Sequence, residues 1–590
     1  MEKNRTSLDS IKILNRRSFI VAFFGLIFSI IIGIRLFSLQ IINSSFYKKK
    51  SADNKISIKI TPPLRGDIYD SKNNLLAGNA SLYEFVIFKN LNKHYLDEIK
   101  LINEKLNLNL DLEYHKPRLN KFNSYTPYSL LRASWDQLVE FEKNKFLFTA
   151  IKIIESKKRF YAHKNMSQII GYMGMPENND ELYPQGVFHL EKTYEEQLKG
   201  EPGKIFNEVN SKGKIVREVS IQNPIKGDDL KLTVNLELQN FVQSILPSDK
   251  KGSAVILNRF DGSILSMNSN PTFDSQVFED RDNANISSLL NDKNRPLFNR
   301  AFSGFYPPGS VFKPLPALLG LQKNLVNETT EVFCKGHSSL SDRNYYCWKK
   351  GGHGKVNLKR AIKESCDVYF YELAKKCNID DLSELATNLG LNQSYDIGLS
   401  NIDKGLVPNK KWKKAFLDQG WYTGETLITF IGQGYNLTSP LQLAVLYSAI
   451  INGGIYPLPK INMNFPTKYQ GKEFNNAHKS ILMSSLNSVV QESRGTANRL
   501  NSLNPNYVKI GGKTGTSQVI RIKESEREDD AYKDKEIEDR FIDHSVFVGY
   551  APYDNPKYIA AVIIENGGSG SAVAAPLAHE ILNYAYKINV

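Results

Sequence analysis

"YPPGSVFKPLPALL" (Tyr306–Leu319) places two prolines and a glycine directly before a Ser-x-x-Lys sequence and an apolar run. Because proline and glycine disfavour helix, we predict that a helix begins at Ser310. The i, i+3 spacing puts the Lys313 amine on the same face as the serine hydroxyl. Pro314 is tolerated there, since N–H groups in the first turn have no helical partner. The positive end of such a helix favours a serine alkoxide and a neutral lysine, which are a nucleophile and its base.

Ser-x-x-Lys spacing by itself is weak evidence for catalysis. The same spacing occurs at Ser45–Lys48 and Ser248–Lys251, in settings that do not suggest a catalytic site. A serine that caps a helix, followed by a surface lysine, gives the same pattern. The interpretation of Ser310 therefore depends on other motifs.

Two later motifs support a nucleophilic site. "ESCDVYFYEL" (Glu364–Leu373) contains Ser-x-Asp, and "GGKTGTSQ" (Gly511–Gln518) contains Lys-Thr-Gly. A second hydroxyl and a carboxylate can relay a proton, while a Lys-Thr-Gly strand offers a cation and a hydroxyl to a substrate carboxylate. A glycine there lets the substrate backbone approach closely, and backbone N–H groups can form an oxyanion hole. The predicted catalytic residues are Ser310, Lys313, Ser365, Asp367, Lys513 and Thr514; Gly515 and Thr516 are predicted to bind substrate, with the N–H groups of Ser310 and Thr516 as the oxyanion hole.

The N-terminus predicts a membrane anchor. Residues Ser18–Ile34 carry no charge, and about 20 apolar residues are enough to cross a bilayer. The preceding residues 1–17 contain five Lys and Arg against two acidic residues, so the positive-inside rule places this tail in the cytoplasm. No small-residue cleavage site follows the apolar run, which favours an uncleaved anchor over residues 18–42.

Length predicts two to four domains, and patterning places two of them beyond the anchor. A chain of 590 residues with 41% apolar residues is too long for one core. Residues 51–224 are polar and fit a mixed-strand pedestal (dimerisation-like) domain. From 228 to 590 an early hairpin (Gly252–Asn268, with Asp261-Gly262 at the turn), a helical middle and three late strands predict one sheet built from both ends of an α/β (α+β) domain. The charged run Lys523–Arg540 is predicted to be an exposed loop.

The motifs, in this order, resemble those of penicillin-binding proteins and class A β-lactamases. Longer segments narrow the resemblance to class B penicillin-binding proteins, and among these to the penicillin-binding protein 2 group of the elongation machinery. The Ser-x-Asp form of the second motif points the same way. The resembling segments cover most of the chain beyond residue 16 and include "PPLRGDIYDSKNNLLAGN" (62–79), "GVFHLEKTYEEQLKG" (186–200), "GHGKVNLKRAIKESCDVYFYELA" (352–374) and "WYTGETLITFIGQGYNLTSPLQLA" (421–444).

The resemblance implies a peptidoglycan D,D-transpeptidase that cross-links stem peptides during cell elongation. Ser310 would attack the D-Ala–D-Ala bond of one stem peptide, and β-lactams would acylate the same serine. Residues 51–224 show no glycosyltransferase domain, so a SEDS-family glycosyltransferase and elongation-complex proteins are the implied partners. The implied location is the bacterial inner membrane, crossed once, with the catalytic domain in the periplasm. No zinc-finger, RNP or helix-turn-helix pattern is present, so no nucleic-acid partner is expected.

Four cysteines leave three interpretations open. Outside the cytoplasm they suggest disulfides, but Cys366 and Cys377 fall on one predicted helix, about 16 Å apart and too far to bridge. Alternatively, Cys334, Cys347, His353 and Cys366 make a closed Cys₃His set for structural zinc. Such a metal would fix the second motif, which surrounds Cys366. A Cys334–Cys347 disulfide or free thiols are the other possibilities.

Two other functions fit part of the pattern. A D,D-carboxypeptidase or β-lactamase would share the motifs, but a secreted β-lactamase needs neither anchor nor pedestal. A β-lactam sensor or a non-catalytic scaffold would bind without turnover. A sensor is expected to have several membrane spans or a cytoplasmic output domain, and the 17-residue tail is neither. A membrane-anchored transpeptidase is therefore the preferred interpretation.

Overall fold

A computed structural model describes residues 5–46, 56–108, 110–121, 127–175, 184–210, 215–399, 403–503, 505–519 and 541–590. The predicted loop Lys523–Arg540 lies outside these ranges, as do the first four residues of the tail.

The described part of the chain contains both helices and strands, and the strands range from two to 13 residues. The helices are α1 Arg5–Phe37, α2 Tyr95–Lys105, α3 Leu112–Lys121, α4 Trp135–Asn144, α5 Ser167–Ile170, α6 His189–Thr193, α7 Glu195–Leu198, α8 Leu236–Ile245, α9 Gln276–Glu279, α10 Asn283–Asn291, α11 Pro314–Gln322, α12 Leu358–Lys363, α13 Asp367–Ala374, α14 Ile379–Asn388, α15 Lys410–Leu417, α16 Thr423–Phe430, α17 Pro440–Ile451, α18 Asn476–Gln491, α19 Leu500–Leu503 and α20 Ala574–Lys587. The strands are β1 Ile56–Thr61, β2 Ile68–Tyr69, β3 Leu75–Ile87, β4 Tyr128–Arg132, β5 Ile151–Tyr161, β6 Met173–Gly174, β7 Gln185–Gly186, β8 Gly203–Val209, β9 Ile215–Gln222, β10 Leu230–Lys231, β11 Gly252–Asn258, β12 Ile264–Asn270, β13 Val332–Cys334, β14 His337–Leu340, β15 Arg343–Tyr346, β16 Gly354–Val356, β17 Ile455–Pro457, β18 Tyr469–Gly471, β19 Gly511–Ser517, β20 His544–Ala551 and β21 Tyr558–Ile564.

The N-terminal helix has the length and composition of a membrane span. The candidate span Arg16–Ile42 contains 27 residues, and an 18-residue window within it has a mean hydropathy of 2.5. At a rise of about 1.5 Å per residue this stretch exceeds the hydrocarbon thickness of a bilayer. Its large apolar side chains are exposed in the protein alone, as expected for a lipid-facing helix.

The chain forms two compact units. The first consists of Met1–Pro63, Leu82–Ser156 and Glu201–Ile225. In it β1, β8 and β9 form an antiparallel sheet, and a separate small core packs around Phe85 and Phe141, whose ring centroids lie 5.2 Å apart.

The second unit contains the rest of the chain, including two segments from the predicted pedestal range. These segments are Leu64–Ser81 and Lys157–Gly200. Within this unit Glu191, fully buried, binds Arg65 Nε at 2.6 Å and Arg159 Nε at 2.7 Å. A buried carboxylate without a cation would lower the stability of the fold, so Glu191 depends on both arginines. Because Arg65 and Glu191 belong to different segments, their ion pair holds the two segments together. The sequence did not indicate that part of 51–224 groups with the C-terminal unit.

The second unit is built on a five-stranded sheet, as predicted. Its strand order is β12-β11-β21-β20-β19, and all neighbours are antiparallel. The early hairpin is confirmed, with Gly262 at φ +74° in its turn. Strand β21 (YIAAVII) is buried along its whole length because both α17 and α20 pack on it. The early and late strands therefore share one sheet, and β19 forms one edge of it.

Candidate active site

Ser310 lies in a tight turn against the edge strand of the sheet. The first turn, Gly309–Phe312, is 3₁₀, and the α-helix α11 begins only at Pro314. The predicted helix thus begins as a 3₁₀ turn and continues as an α-helix only from Pro314. The change occurs there because Pro314 has no N–H to donate to a preceding carbonyl. Gly309 has φ +58°, and a Cβ there would lie 2.5 Å from the Thr516 carbonyl oxygen. Only glycine permits this approach, which places half-buried Ser310 beside β19.

Lys313 is fully buried and joins the first motif to the second. Its Nζ donates to the Ser365 carbonyl at 2.9 Å, to Ser365 Oγ at 3.1 Å and to Asp367 Oδ1 at 2.8 Å. The three hydrogens of an ammonium group match these three acceptors. The structure thus brings together three of the predicted catalytic residues: Lys313, Ser365 and Asp367.

The second motif lies where one helix ends and the next begins. After α12, Ser365 adopts φ +56°, a left-handed conformation that costs a non-glycine residue about 1–3 kcal/mol. Cys366 then precedes α13, whose first residue is Asp367. Burial raises the pKa of Asp367, although its contact with Lys313 opposes the shift. The Asp367 carboxylate thus has a higher proton affinity than an exposed one.

The third motif lies on β19. Lys513 is fully buried, and its Nζ donates to the Thr514 carbonyl at 3.0 Å. Burial, together with the charge of Lys313, holds the pKa of Lys513 well below its usual value. An anionic substrate group that approached Lys513 would relieve this penalty.

Three residues at the site gave no signal in the sequence. The Thr496 hydroxyl lies 2.6 Å from Thr514 Oγ1. Gln433 Nε2 donates to the Thr516 carbonyl at 3.1 Å. The backbone N–H of Trp348 donates to Asp367 Oδ2 at 2.9 Å. No spacing rule connects these residues to the motifs, since each belongs to a different segment of the chain.

A second cluster adjoins the Ser-x-Asp motif. One ligand atom from each of Cys334, Cys347, His353 and Cys366 lies within 4.8 Å of the others, and all four residues are buried. His353 Nδ1 is 3.6 Å from Cys334 Sγ and 3.5 Å from Cys347 Sγ. All cysteines are free, so the disulfide interpretation is wrong for this structure, and Cys377 lies outside the cluster.

The donor set of this cluster fits a metal cation. Hydrogen bonds from Cys366, and to a lesser extent from His353, lower the pKa of Cys334 and Cys347 to about 4. The same contacts raise the pKa of Cys366. Thiolates are the form of cysteine that binds metals, and a buried set of three sulfurs and one imidazole nitrogen is a typical set of zinc ligands. The cluster could therefore hold a metal ion.

Comparison with known proteins identifies the family. The family model described as the penicillin-binding protein transpeptidase domain matches residues 252–583, more than half of the chain. The chain belongs to the penicillin-binding protein family. The model for the penicillin-binding protein dimerisation domain matches residues 60–232 of the same chain.

This penicillin-binding protein resembles its relatives over nearly its full length. It is 32% identical to the peptidoglycan D,D-transpeptidase MrdA of Haemophilus influenzae, over 96% of this chain and 91% of the relative. Penicillin-binding protein 2 of Helicobacter pylori, solved in complex with MreC, superposes with a TM-score of 0.77 at 25% identity, over 90% of this chain and 99% of that one. A chain from a structure of a peptidoglycan synthase complex, described as coordinating polymerization and crosslinking, gives a TM-score of 0.71 at 25% identity, over 97% of this chain and 98% of that one.

These similarities confirm the class and the activity expected from the motifs. The protein is a class B penicillin-binding protein of the penicillin-binding protein 2 type, with a serine transpeptidase domain and an N-terminal dimerisation domain. It is a peptidoglycan D,D-transpeptidase of the elongation type.

Proposed function

We propose that Ser310 is the nucleophile of this transpeptidase and that Lys313 is its base. Ser310 Oγ attacks the carbonyl carbon between the two terminal D-Ala residues of a donor stem peptide. Its proton passes to Lys313 Nζ, the C–N bond breaks, and the terminal D-Ala leaves with a proton on its nitrogen. The amine of a neighbouring stem peptide then attacks the acyl-enzyme, which forms the cross-link and frees Ser310. The observation that carries this proposal is the buried contact of Lys313 with both residues of the second motif.

The proton on resting Lys313 must leave before the lysine can act as a base. Lys313 Nζ lies 2.8 Å from the Asp367 carboxylate, which is the nearest group that can take this proton. Asp367 is a suitable acceptor because its Oδ1 lies 2.8 Å from Lys313 Nζ and burial raises its pKa. We therefore assign Asp367 the role of taking the proton from Lys313, and Ser365 Oγ the role of relaying protons to and from the leaving and attacking amines.

Lys513 and Thr514 are assigned to the terminal carboxylate of the donor peptide. A buried ammonium with a depressed pKa gains most from a carboxylate partner, and the Thr514 hydroxyl is held in place by Thr496. Gly515 lets the turn that carries Ser310 pack against β19, since a Cβ there would lie 3.0 Å from the Pro308 carbonyl oxygen. The N–H groups of Ser310 and Thr516 are assigned to the oxyanion. β-Lactams mimic the donor and acylate the same serine.

The cross-linking step itself can be tested with the full-length protein in detergent. Glycan strands that carry pentapeptide stems, made in situ by a purified polymerase, are digested with a muramidase and analysed by mass spectrometry. We expect dimeric muropeptides and one released D-Ala per cross-link, both abolished by prior penicillin treatment. D-Ala release without dimers would identify a carboxypeptidase instead. Penicillin labelling with neither product would identify a sensor or scaffold.

We further propose that the Cys₃His cluster binds a structural zinc ion. Four protein ligands complete a tetrahedral zinc site and leave no position for a reactive water. Cys334 and His353 lie on or beside the short strands β13 and β16, whereas Cys366 directly precedes α13. Bound zinc would have a structural role only, holding these segments together. Through Cys366 it would fix the start of α13, whose first residue is Asp367.

Removal of one ligand is expected to cost metal and stability together. For Cys334→Ala we expect less than one zinc ion per protein, measured by elemental mass spectrometry. We also expect a Tm lower by about 5–10 °C. Cys377→Ala is the matched control, because this cysteine lies outside the cluster, and it should keep both metal and Tm. Full zinc content in Cys334→Ala would contradict the site.

The anchor and the partners follow from the same family membership. We propose that α1 crosses the bacterial inner membrane once, with its basic N-terminal residues in the cytoplasm and the transpeptidase domain in the periplasm. A SEDS-family glycosyltransferase would supply the glycan strands, and an MreC-type protein would dock on the enzyme. The support is that the solved relatives include a complex with MreC and a chain of a peptidoglycan synthase complex.

A further inference from the structure

Trp348 contacts the second catalytic motif through both its backbone and its side chain. The backbone N–H donates to Asp367 Oδ2 at 2.9 Å. The indole Nε1–H lies 3.1 Å from the Ser365 carbonyl oxygen and 3.2 Å from that of Glu364. Its neighbour in sequence is Cys347, a member of the Cys₃His cluster.

The Ser365 carbonyl therefore accepts from two side chains at once. Lys313 Nζ approaches it at 2.9 Å and the Trp348 indole at 3.1 Å. A carbonyl oxygen has two lone pairs, so the two donors together satisfy it. Since Ser365 has φ +56°, its peptide group depends on such contacts to stay in this orientation.

Core packing does not account for a tryptophan at this position. The Trp348 side chain is 61% exposed, although tryptophan is usually well buried. Its ring contacts His353 edge-on at a centroid distance of 5.5 Å, and most of the remaining ring surface faces solvent. What distinguishes tryptophan from other aromatic residues here is the indole N–H, a donor without an acceptor function.

We propose that Trp348 is a positioning residue for acyl transfer: its indole N–H fixes the Ser365 carbonyl, and through it the direction in which Lys313 Nζ points. This inference rests on the proposed roles of Ser310 and Lys313. Trp348 touches neither reacting atom in this scheme. Among the described residues, loss of the N–H leaves Lys313 Nζ as the one side-chain donor to this carbonyl, which shifts the amine from its present position.

The experiment separates the indole N–H from the indole shape. Full-length Trp348→benzothienylalanine, made by amber suppression, keeps the bicyclic ring and loses the N–H; Trp348→Phe loses both. Stopped-flow acylation by a chromogenic cephalosporin gives the noncovalent dissociation constant and the acylation rate constant separately. Trp421→Phe is the matched control, because its indole Nε1 donates at 2.9 Å to Thr426 Oγ1, a hydroxyl outside the site.

We expect the acylation rate constant to fall about tenfold in both Trp348 variants, with the dissociation constant changed less than about twofold. Tm, zinc content and the kinetics of Trp421→Phe should match the parent. An unchanged rate constant in the benzothienylalanine variant would overturn the inference, as would a fall accompanied by loss of metal or of Tm. If the parent were acylated at a residue other than Ser310, the proposed function would fail, and this inference with it.

Discussion

Ser310→Ala is expected to abolish covalent labelling by a fluorescent penicillin. Without Oγ no acyl-enzyme can form, and removal of a catalytic serine lowers rates by at least about 10⁴-fold. The change should barely affect stability, because residue 310 is half-buried and its neighbours Gly309 and Val311 supply the close contacts of the turn. Labelling is read on a denaturing gel after incubation of the purified full-length protein, beside its melting curve.

Ser248→Ala provides the matched control for this experiment. Ser248 has the same spacing to a lysine, Lys251, but lies exposed after α8. It should label like the parent. Persistent label on Ser310→Ala would show that another residue is the nucleophile. A parent that melts normally yet takes no label would indicate that the site opens only with a partner or serves binding alone.

Lys313→Met is expected to lower the acylation rate constant by about 10³-fold, the usual contribution of a positioned general base. It should also destabilise the protein, because Asp367 would then lie buried without its cation. Breaking a buried ion pair from one side costs about 3–5 kcal/mol. The free energy of unfolding is measured by urea titration. Acylation is measured at a temperature well below the Tm of the variant, which a melting curve gives.

Two further variants separate these effects of Lys313. Lys313→Met combined with Asp367→Asn removes the unpaired carboxylate, so stability should partly recover while acylation stays slow. Lys323→Met tests a lysine at the other end of α11, where the ion pair with Asp381 is half-exposed and worth little. It should behave like the parent in both assays. Rapid acylation by Lys313→Met would rule out the lysine as the base.

The sequence determined the features that depend on local pattern. Breakers before Ser310 predicted a helix start, and the structure differs only in a 3₁₀ first turn imposed by Pro314. Alternating apolar strands with an Asp-Gly turn predicted the hairpin, and an uncharged run predicted the N-terminal helix. The motifs also named Lys313, Ser365 and Asp367 as candidate catalytic residues, and the structure brings these three side chains together. These features can be predicted from the sequence because each depends on only a few consecutive residues.

Only the tertiary structure decided which distant residues meet. The cluster of Cys334, Cys347, His353 and Cys366 was one of three interpretations until their ligand atoms proved to lie within 4.8 Å. Thr496 meets Thr514, and Trp348 meets the Ser365 carbonyl, across separate segments of the chain. The segments Leu64–Ser81 and Lys157–Gly200 group with the C-terminal unit. These contacts arise from how helices and strands pack, and packing leaves no periodicity or spacing in the sequence that would predict them.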